Sequence, residues 1–479
     1  MANSDTPTPT ILYAPREPIF PRRVKGTFRT LKWWLLALML GIYYVLPWIR
    51  WDRGVSLPDQ AVLLDLANRR FFFFMIEIWP HEFYFVAGLL IMAGLGLFLF
   101  TSAAGRVWCG YVCPQTVWTD LFILVERWVE GDRNARLRLH RQKLNGEKLR
   151  KRVVKFTLWA LIGLATGGAW VFYFTDAPTL AWDLVNGTAH PAAYITMALL
   201  TATTFFFGGF AREQICIYAC PWPRIQAAMM DEDTLTIGYR DWRGEPRGKL
   251  QKGATTPAEA QGDCIDCMAC VNVCPMGIDI RNGQQLACIT CGLCIDACDD
   301  VMDRIGKPRD LIGYMALTDE VAERAGKPVK PIWKHVFRPR TVIYTVLWGG
   351  VGVGLVVALF LRSDIGVSVS QVRNPVNVTL SDGSIRNSYD LRLRNQTGRD
   401  TQLSIMMVAP DGMKLSIEGL DGPLVSVPVD ETLAKRVYVE AAAGSDPARE
   451  ERSEVRFWIS DTKSNSRVHQ DTIFFGKDD

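Results

Sequence analysis

Eight cysteines between Cys264 and Cys298 constrain this chain more than any other feature. Cys264, Cys267, Cys270 and Cys274 follow the spacing C-x2-C-x2-C-x3-C, and Cys288, Cys291, Cys294 and Cys298 repeat it. Three thiolates at that step wrap one corner of a 4Fe–4S cube, and in paired runs the fourth Cys of each ligates the other cluster. The spacing therefore predicts one cluster on Cys264, Cys267, Cys270 and Cys298, and a second on Cys288, Cys291, Cys294 and Cys274. Crossing of this kind makes the two halves one cooperative unit. Zinc sites use two CxxC pairs and rarely carry a third Cys at the same step. Disulfides are excluded by the reducing compartment inferred next.

A chain of 479 residues suggests about three domains. Its 49% hydrophobic share is gathered into runs, which points to an integral membrane protein. Five stretches are long enough to cross a bilayer as helices: Leu31–Ile49, Phe83–Ser102, Phe156–Thr175, Ala192–Phe210 and Thr341–Leu361. The first is too long and too aromatic for a cleaved leader and reads as a retained signal anchor. Lys and Arg crowd the N-terminal tail from Arg16 to Lys32 and the loop from Arg133 to Lys155, whereas Asp176–Pro191 has neither. The N-terminus and both large loops are thus expected in the cytoplasm and the C-terminus outside. Reduced thiols persist on that inner side and disulfides do not. The net charge of +4 is small and unevenly placed, so it gives no argument for nucleic acid.

Phe71–Trp79 is strongly apolar but stops at Pro80-His81-Glu82, too short to span, and reads as an interfacial or re-entrant helix. Its polar lip at His81 and Glu82 fits an aromatic belt better than a quinol site. Gly350-x-Gly352-x-Gly354 has no strand before it, so it fails the context of a dinucleotide fingerprint. Gly350 and Gly354, like Gly163 and Gly167, read instead as small faces for close helix packing. Beyond Arg362 come about seven short runs of period two, from Val367–Ser370 to Thr472–Phe475, separated by turns such as Asp382-Gly383 and Asp411-Gly412. They predict an antiparallel immunoglobulin-like sandwich with a binding role. The expected organisation is a cytoplasmic tail (1–30), a four-helix membrane domain (31–230), a two-cluster ferredoxin-like α+β domain (231–340), a fifth transmembrane helix (341–361) and the all-β domain (362–479).

Four further cysteines form two matching pairs. Cys109-Gly-Tyr-Val-Cys113-Pro114 follows the second span and Cys216-Ile-Tyr-Ala-Cys220-Pro221 follows the fourth, each with an Arg upstream (Arg106, Arg212). The membrane part is therefore a duplicated unit of helix, helix and CxxxCP. Thiols at i and i+4 lie one turn apart on one face, and Pro biases the second Cys of each pair out of the helix. Soft thiolates select Cu(I), zinc or iron–sulfur centres, so Cys109, Cys113, Cys216 and Cys220 are candidates for one metal or for a redox-active dithiol set.

With these motifs in place the chain resembles the family of cytochrome c oxidase accessory proteins CcoG, FixG and RdxA. The resemblance runs nearly the full length. Its carriers are Ile19–Arg29, Ile78–Tyr84, both CxxxCP pairs, the double cysteine run, and Cys298–Arg309 followed by Leu311-Ile-Gly-Tyr. Asp299 stands where simple two-cluster ferredoxins often place Pro, and this fits the family better than a plain ferredoxin. The resemblance implies a bacterial inner-membrane protein serving assembly of a cbb3-type oxidase, with a role in reducing Cu(II) to Cu(I). It also implies oxidase assembly factors or copper chaperones as partners, besides the lipid bilayer and an electron donor that the sequence does not identify. A non-enzymatic assembly scaffold and a quinol-linked electron donor are the alternative readings.

Overall fold

In the computed structural model, residues 18–53, 57–249, 261–397, 399–429, 431–464 and 466–477 are described. The chain divides into two units, one of residues 59–353 together with the N-terminal 52, the other of residues 354–479 with 53–58.

Among the described residues five helices are long and apolar enough to cross a membrane: Thr27–Trp48, Tyr84–Ala104, Gly146–Val171, Pro191–Ala211 and Pro339–Phe360. They coincide with the five runs expected from hydropathy. The third and fourth pack closely because glycine lets them. A β-carbon at Gly167 would lie 2.6 Å from the Met197 carbonyl oxygen, and one at Gly163 would lie 3.0 Å from that of Thr201. Gly350 and Gly354 do not repeat this. A β-carbon at either would meet nothing within 4 Å, so that part of the small-face reading is corrected.

The segment read as an interfacial helix is a β-meander instead. Strands β1 (Val62–Asp65), β2 (Arg70–Phe73) and β3 (Ile76–Ile78) form an antiparallel sheet, with Phe71 opposite Ile78 and Phe73 opposite Ile76. Consecutive aromatic residues favour a pleated strand, and Arg69 and Phe74 turn the chain at positive φ (56° and 51°). Phe72 alone of the four phenylalanines is fully buried. Glu82 accepts the Trp79 backbone N–H at 3.1 Å and closes the turn before the second span. The side chain of His81 lies outside the described residues.

At the far end of the same helices sits the cysteine-rich fold. Its secondary structure is sparse: β4 (Thr236–Tyr239) pairs antiparallel with β5 (Ile312–Met315), and helices Ala269–Val273 and Leu293–Ile305 carry cysteines. A helix outside the spans, Pro114–Glu130, ties the membrane bundle together through buried charge. Asp120 on it accepts both Nη1 contacts of Arg29, at 2.9 and 3.1 Å, and lies 3.4 Å from Lys32 Nζ; all three residues are buried. One turn and a half further on, Glu126 pairs with Arg212 at 2.6 Å and with Arg136.

Among the described residues the second unit has nine strands: β6 (Ile365–Gln371), β7 (Val378–Thr379), β8 (Ile385–Asn395), β9 (Thr401–Val408), β10 (Met413–Ile417), β11 (Leu424–Val427), β12 (Thr432–Ala441), β13 (Arg452–Asp461) and β14 (Arg467–Phe475). One sheet has the order β10-β12-β8-β6, with β7 also on β8, and the other β11-β9-β13-β14. Alternation sends Tyr389, Leu391 and Leu393 inward from β8, and Leu403, Ile405, Phe457 and Ile459 inward from β9 and β13; together they form the sandwich core. Turns at Gly383 (φ 82°) and Gly412 (φ 88°) use the left-handed region that glycine tolerates.

Asp120 provides a stability test. Burial alone would raise its carboxyl, but Lys32 and Arg29 bring it below the usual carboxylate range. Asp120→Ala leaves two buried cations unpaired and is expected to cost about 3–5 kcal/mol, read as a lowered midpoint of thermal unfolding in detergent. A carboxyl held below its unfolded value stabilises above that value and stops doing so as the pH falls through the folded one. The parent should therefore lose stability below about pH 4 more steeply than the variant.

Candidate cluster sites and thiol centre

The two cysteine runs fold alike because their backbones take the same unusual turns. In the first run Asp266 and Met268, on either side of Cys267, have φ of 51° and 57°; in the second Thr290 and Gly292, on either side of Cys291, have φ of 48° and 72°. Positive φ at Asp266, Met268 and Thr290 is costly for residues with a β-carbon, about 1–3 kcal/mol each, and such strain collects at functional sites. Each run then enters a helix, Ala269–Val273 or Leu293–Ile305, that presents its third Cys.

The fourth cysteines cross over. The Cys298 thiol is pushed up by burial and then by Cys270, Cys267 and Cys264. Cys274 is pushed up to about 12 by burial and by Cys291 and Cys288 of the other run. Cys294 is raised well above the ordinary range by burial, Cys291, Cys274 and Cys288. Two sets of four sulfurs thus face one another, Cys264/267/270/298 and Cys274/288/291/294. A small cavity of about 20 Å³ is lined by the second set together with Cys270, Met276, Ile278 and Leu293. All-thiol donor sets in apolar walls suit a 4Fe–4S cluster. The buried Thr290 hydroxyl beside Cys288 has no hydrogen-bond partner among the described residues, and its own N–H points to the Cys288 sulfur, as cluster sulfur requires. In the first set Cys267 alone is exposed and the other three are buried; in the second Cys291 is buried and the other three are half-buried.

The CxxxCP pairs also converge. Burial raises Cys216 to about 12, with Cys113, Cys109 and Cys220 adding to it and Arg106 opposing. Burial likewise raises Cys109, Arg106 lowers it, and Cys113 and Cys220 raise it further. The duplication extends to backbone: Gly105 (φ 60°) and Arg212 (φ 41°) each break the chain four residues before the first Cys. Cys113 and Cys220 are extended, at ψ 128° and 126°, ahead of Pro114 and Pro221. Arg212 therefore occupies the place of Gly105, not of Arg106, and the two arginines noted in the sequence have different work. Arg212 holds Glu126, while Arg106 Nη1 donates to the Leu286 carbonyl and, at 3.1 Å, to that of Cys288. The second pair lies in a π-helical turn, Ile215–Ala219, of the kind common at functional sites. Gln226, wholly buried, accepts the Cys109 thiol hydrogen at 3.2 Å, and Thr116 donates to the Cys109 carbonyl at 2.6 Å.

This thiol centre sits against the second cysteine set. Cys109 and Cys216 belong to the same apolar cluster as Cys291, Cys294 and Cys274. Sequence reasoning missed the residues that join the parts. Asp296, between Cys294 and Cys298, accepts the backbone N–H groups of Arg29 at 2.7 Å and Phe28 at 3.2 Å and so caps the first span. Tyr111 donates to the Cys291 carbonyl at 2.9 Å. The signals were present, in an acid two residues before a ligand and a Tyr inside CxxxC, but neither names its partner.

A membrane-anchored 4Fe–4S electron-transfer protein with an immunoglobulin-like module is the class that this fold and site define. The family description "4Fe-4S dicluster domain" matches residues 211–317, "4Fe-4S binding domain" matches 85–132, and "IG-like fold at C-terminal of FixG" matches 355–477. The chain is 70% identical to protein RdxB of Cereibacter sphaeroides over the whole of both chains. It is 66% identical to RdxA of the same organism over 94% of this chain and 95% of that one. Identity to the nitrogen fixation protein FixG of Rhizobium meliloti is 51% over 92% of each. The chain belongs to the FixG/RdxA family.

Cys274→Ser tests the crossing. Anaerobic protein should carry about eight iron per chain from these two sets. The variant is expected to lose the cluster on Cys288, Cys291 and Cys294 while the signal of the other persists by electron paramagnetic resonance; loss of the neighbour in sequence would refute the assignment.

Proposed function

We propose that this protein carries electrons from its two clusters to the thiol centre of Cys109, Cys113, Cys216 and Cys220, where a cupric ion is reduced to cuprous for assembly of a cbb3-type oxidase. One observation carries the reading: the thiols of two sequence-distant repeats lie near enough to raise one another, and Cys109 and Cys216 pack on the core of a cluster set. When bound, the clusters supply one electron at a time. The chain's own residues do the rest. Four soft sulfurs favour Cu(I) over Cu(II), so binding itself draws the reduction forward. Gln226 and Thr116 fix Cys109, and the Arg106 guanidinium offsets part of the negative charge of the thiolates. The C-terminal sandwich would dock an oxidase assembly factor or copper chaperone outside the membrane. The N-terminus and cluster sets belong to the cytoplasmic face by the distribution of Lys and Arg.

A second reading is favoured by one finding. The description "4Fe-4S binding domain" covers Cys109 and Cys113, which fits a third cluster on the same four thiols. Iron content separates the two, about eight per chain for a copper site and about twelve for a third cluster.

Replacing Cys109 and Cys113 together with Ser, or Cys216 and Cys220, should abolish Cu(I) binding and slow cupric reduction by about 10–100-fold while absorbance of the two clusters stays intact. Parent-level copper binding and rate in both variants would make these thiols structural. Reporter fusions at residue 250 and residue 420 should report cytoplasm and periplasm respectively; the reverse would place the clusters outside.

A further inference from the structure

The two CxxxC repeats are equivalent in sequence but not in what they touch. Tyr111 and Tyr218 occupy the same step inside each pair, two residues after the first Cys. Tyr111 is buried and holds the Cys291 carbonyl, whereas Tyr218 is 71% exposed. Gly110 is pressed onto the second cysteine run: a β-carbon there would lie 2.5 Å from the Ile289 carbonyl oxygen and 3.1 Å from Cys291 Cα. Three residues before Cys109, Arg106 donates to the carbonyls of Leu286 and Cys288. Its counterpart by backbone position in the second repeat is Glu213, the residue after the break at Arg212.

From these contacts we infer that Arg106, Gly110 and Tyr111 form the electronic seam between the thiol centre and the cluster set of Cys274, Cys288, Cys291 and Cys294, whereas the second repeat reaches that set by the apolar packing of Cys216 and Ile217. From the Cys109 sulfur to the peptide of Cys291 the route crosses one residue of chain and one van der Waals contact. The set of Cys264, Cys267, Cys270 and Cys298 then stands at the entry side. Its Cys267 is exposed, and so is the adjoining Met268. A cluster held by Cys274, Cys288, Cys291 and Cys294 would give up one electron across the seam for each Cu(II) reduced to Cu(I), with no proton transferred. Tyr111 and Arg106 are positioning residues: they touch ligand peptides, not copper.

The seam rests on the electron-transfer reading only for its kinetic arm. Tyr111→Phe keeps the packing and removes the hydrogen bond to the Cys291 carbonyl; Tyr218→Phe is the matched control. In full-length protein with unchanged iron content, a potentiometric titration followed by electron paramagnetic resonance should show one midpoint lowered in Tyr111→Phe. That midpoint is the one missing in Cys274→Ser protein, and Tyr218→Phe should show no shift. In stopped flow, oxidation of the pre-reduced clusters by Cu(II) should slow about tenfold in Tyr111→Phe and match the parent in Tyr218→Phe. Should Tyr111→Phe lose iron, Arg106→Lys replaces it with the same expectations. Equal behaviour of the two Tyr variants, or a shift confined to the other cluster, overturns the seam. A parent that does not reduce Cu(II) overturns the copper reading alone, and the midpoint arm still decides the seam.

Discussion

The Asp296 carboxylate lies on a helix between two cysteines and accepts the first free amides of a membrane span. Helix N-termini have N–H groups without partners and the positive end of the dipole, so an anion from elsewhere in the chain satisfies both. The sequence before the span provides no cap of its own: Gly26 stands at that position and makes no side-chain hydrogen bond. Absence of a β-carbon there is also what admits Asp296, because a β-carbon at Gly26 would overlap its side chain. Phe28 then packs on Gly292 in the same way. This cap, with the bonds of Arg106 and Tyr111 to the second cysteine run, fixes the orientation of the cluster fold relative to the helices that carry the thiols.

Around that fixed point, duplication is used asymmetrically. Gene-like repetition gave two helices ending in CxxxCP, and the backbone keeps the repeat down to the break at Gly105 and Arg212. Side chains depart from it. The first copy is spent on docking, through Arg106, Gly110 and Tyr111. The second is spent on a buried ion network, in which Arg212 joins Glu126, Arg136 and Lys155 beneath an aromatic layer that includes Trp159. Buried charges of this sort cost desolvation and are retained where they hold one arrangement against others. One copy sets the distance to the cluster set, and the other sets the shape of the membrane bundle that presents it.

Much of this was legible without coordinates. Spacing alone decided the cluster class, since C-x2-C-x2-C-x3-C repeated once matches the geometry of a cube and little else. Hydropathy decided the five spans, and period-two alternation with Asp-Gly turns decided the sandwich. The errors came where local pattern is ambiguous. A short aromatic run does not distinguish helix from strand, so Phe71–Trp79 needed its partners across the meander to be seen as β. Small residues promise close packing only if a neighbour arrives, as it does at Gly163 and Gly167 and not at Gly350.

The sequence by itself determined which atoms are chemically competent, because ligand type and spacing are local properties of the chain. Tertiary structure decided which of them meet. That Cys109 and Cys216 share an apolar cluster with Cys291, that Tyr111 rather than Tyr218 reaches a ligand peptide, and that Asp296 caps a helix more than 260 residues upstream are facts of long-range packing. Each depends on the simultaneous position of elements far apart in the chain, and no window of sequence contains both partners.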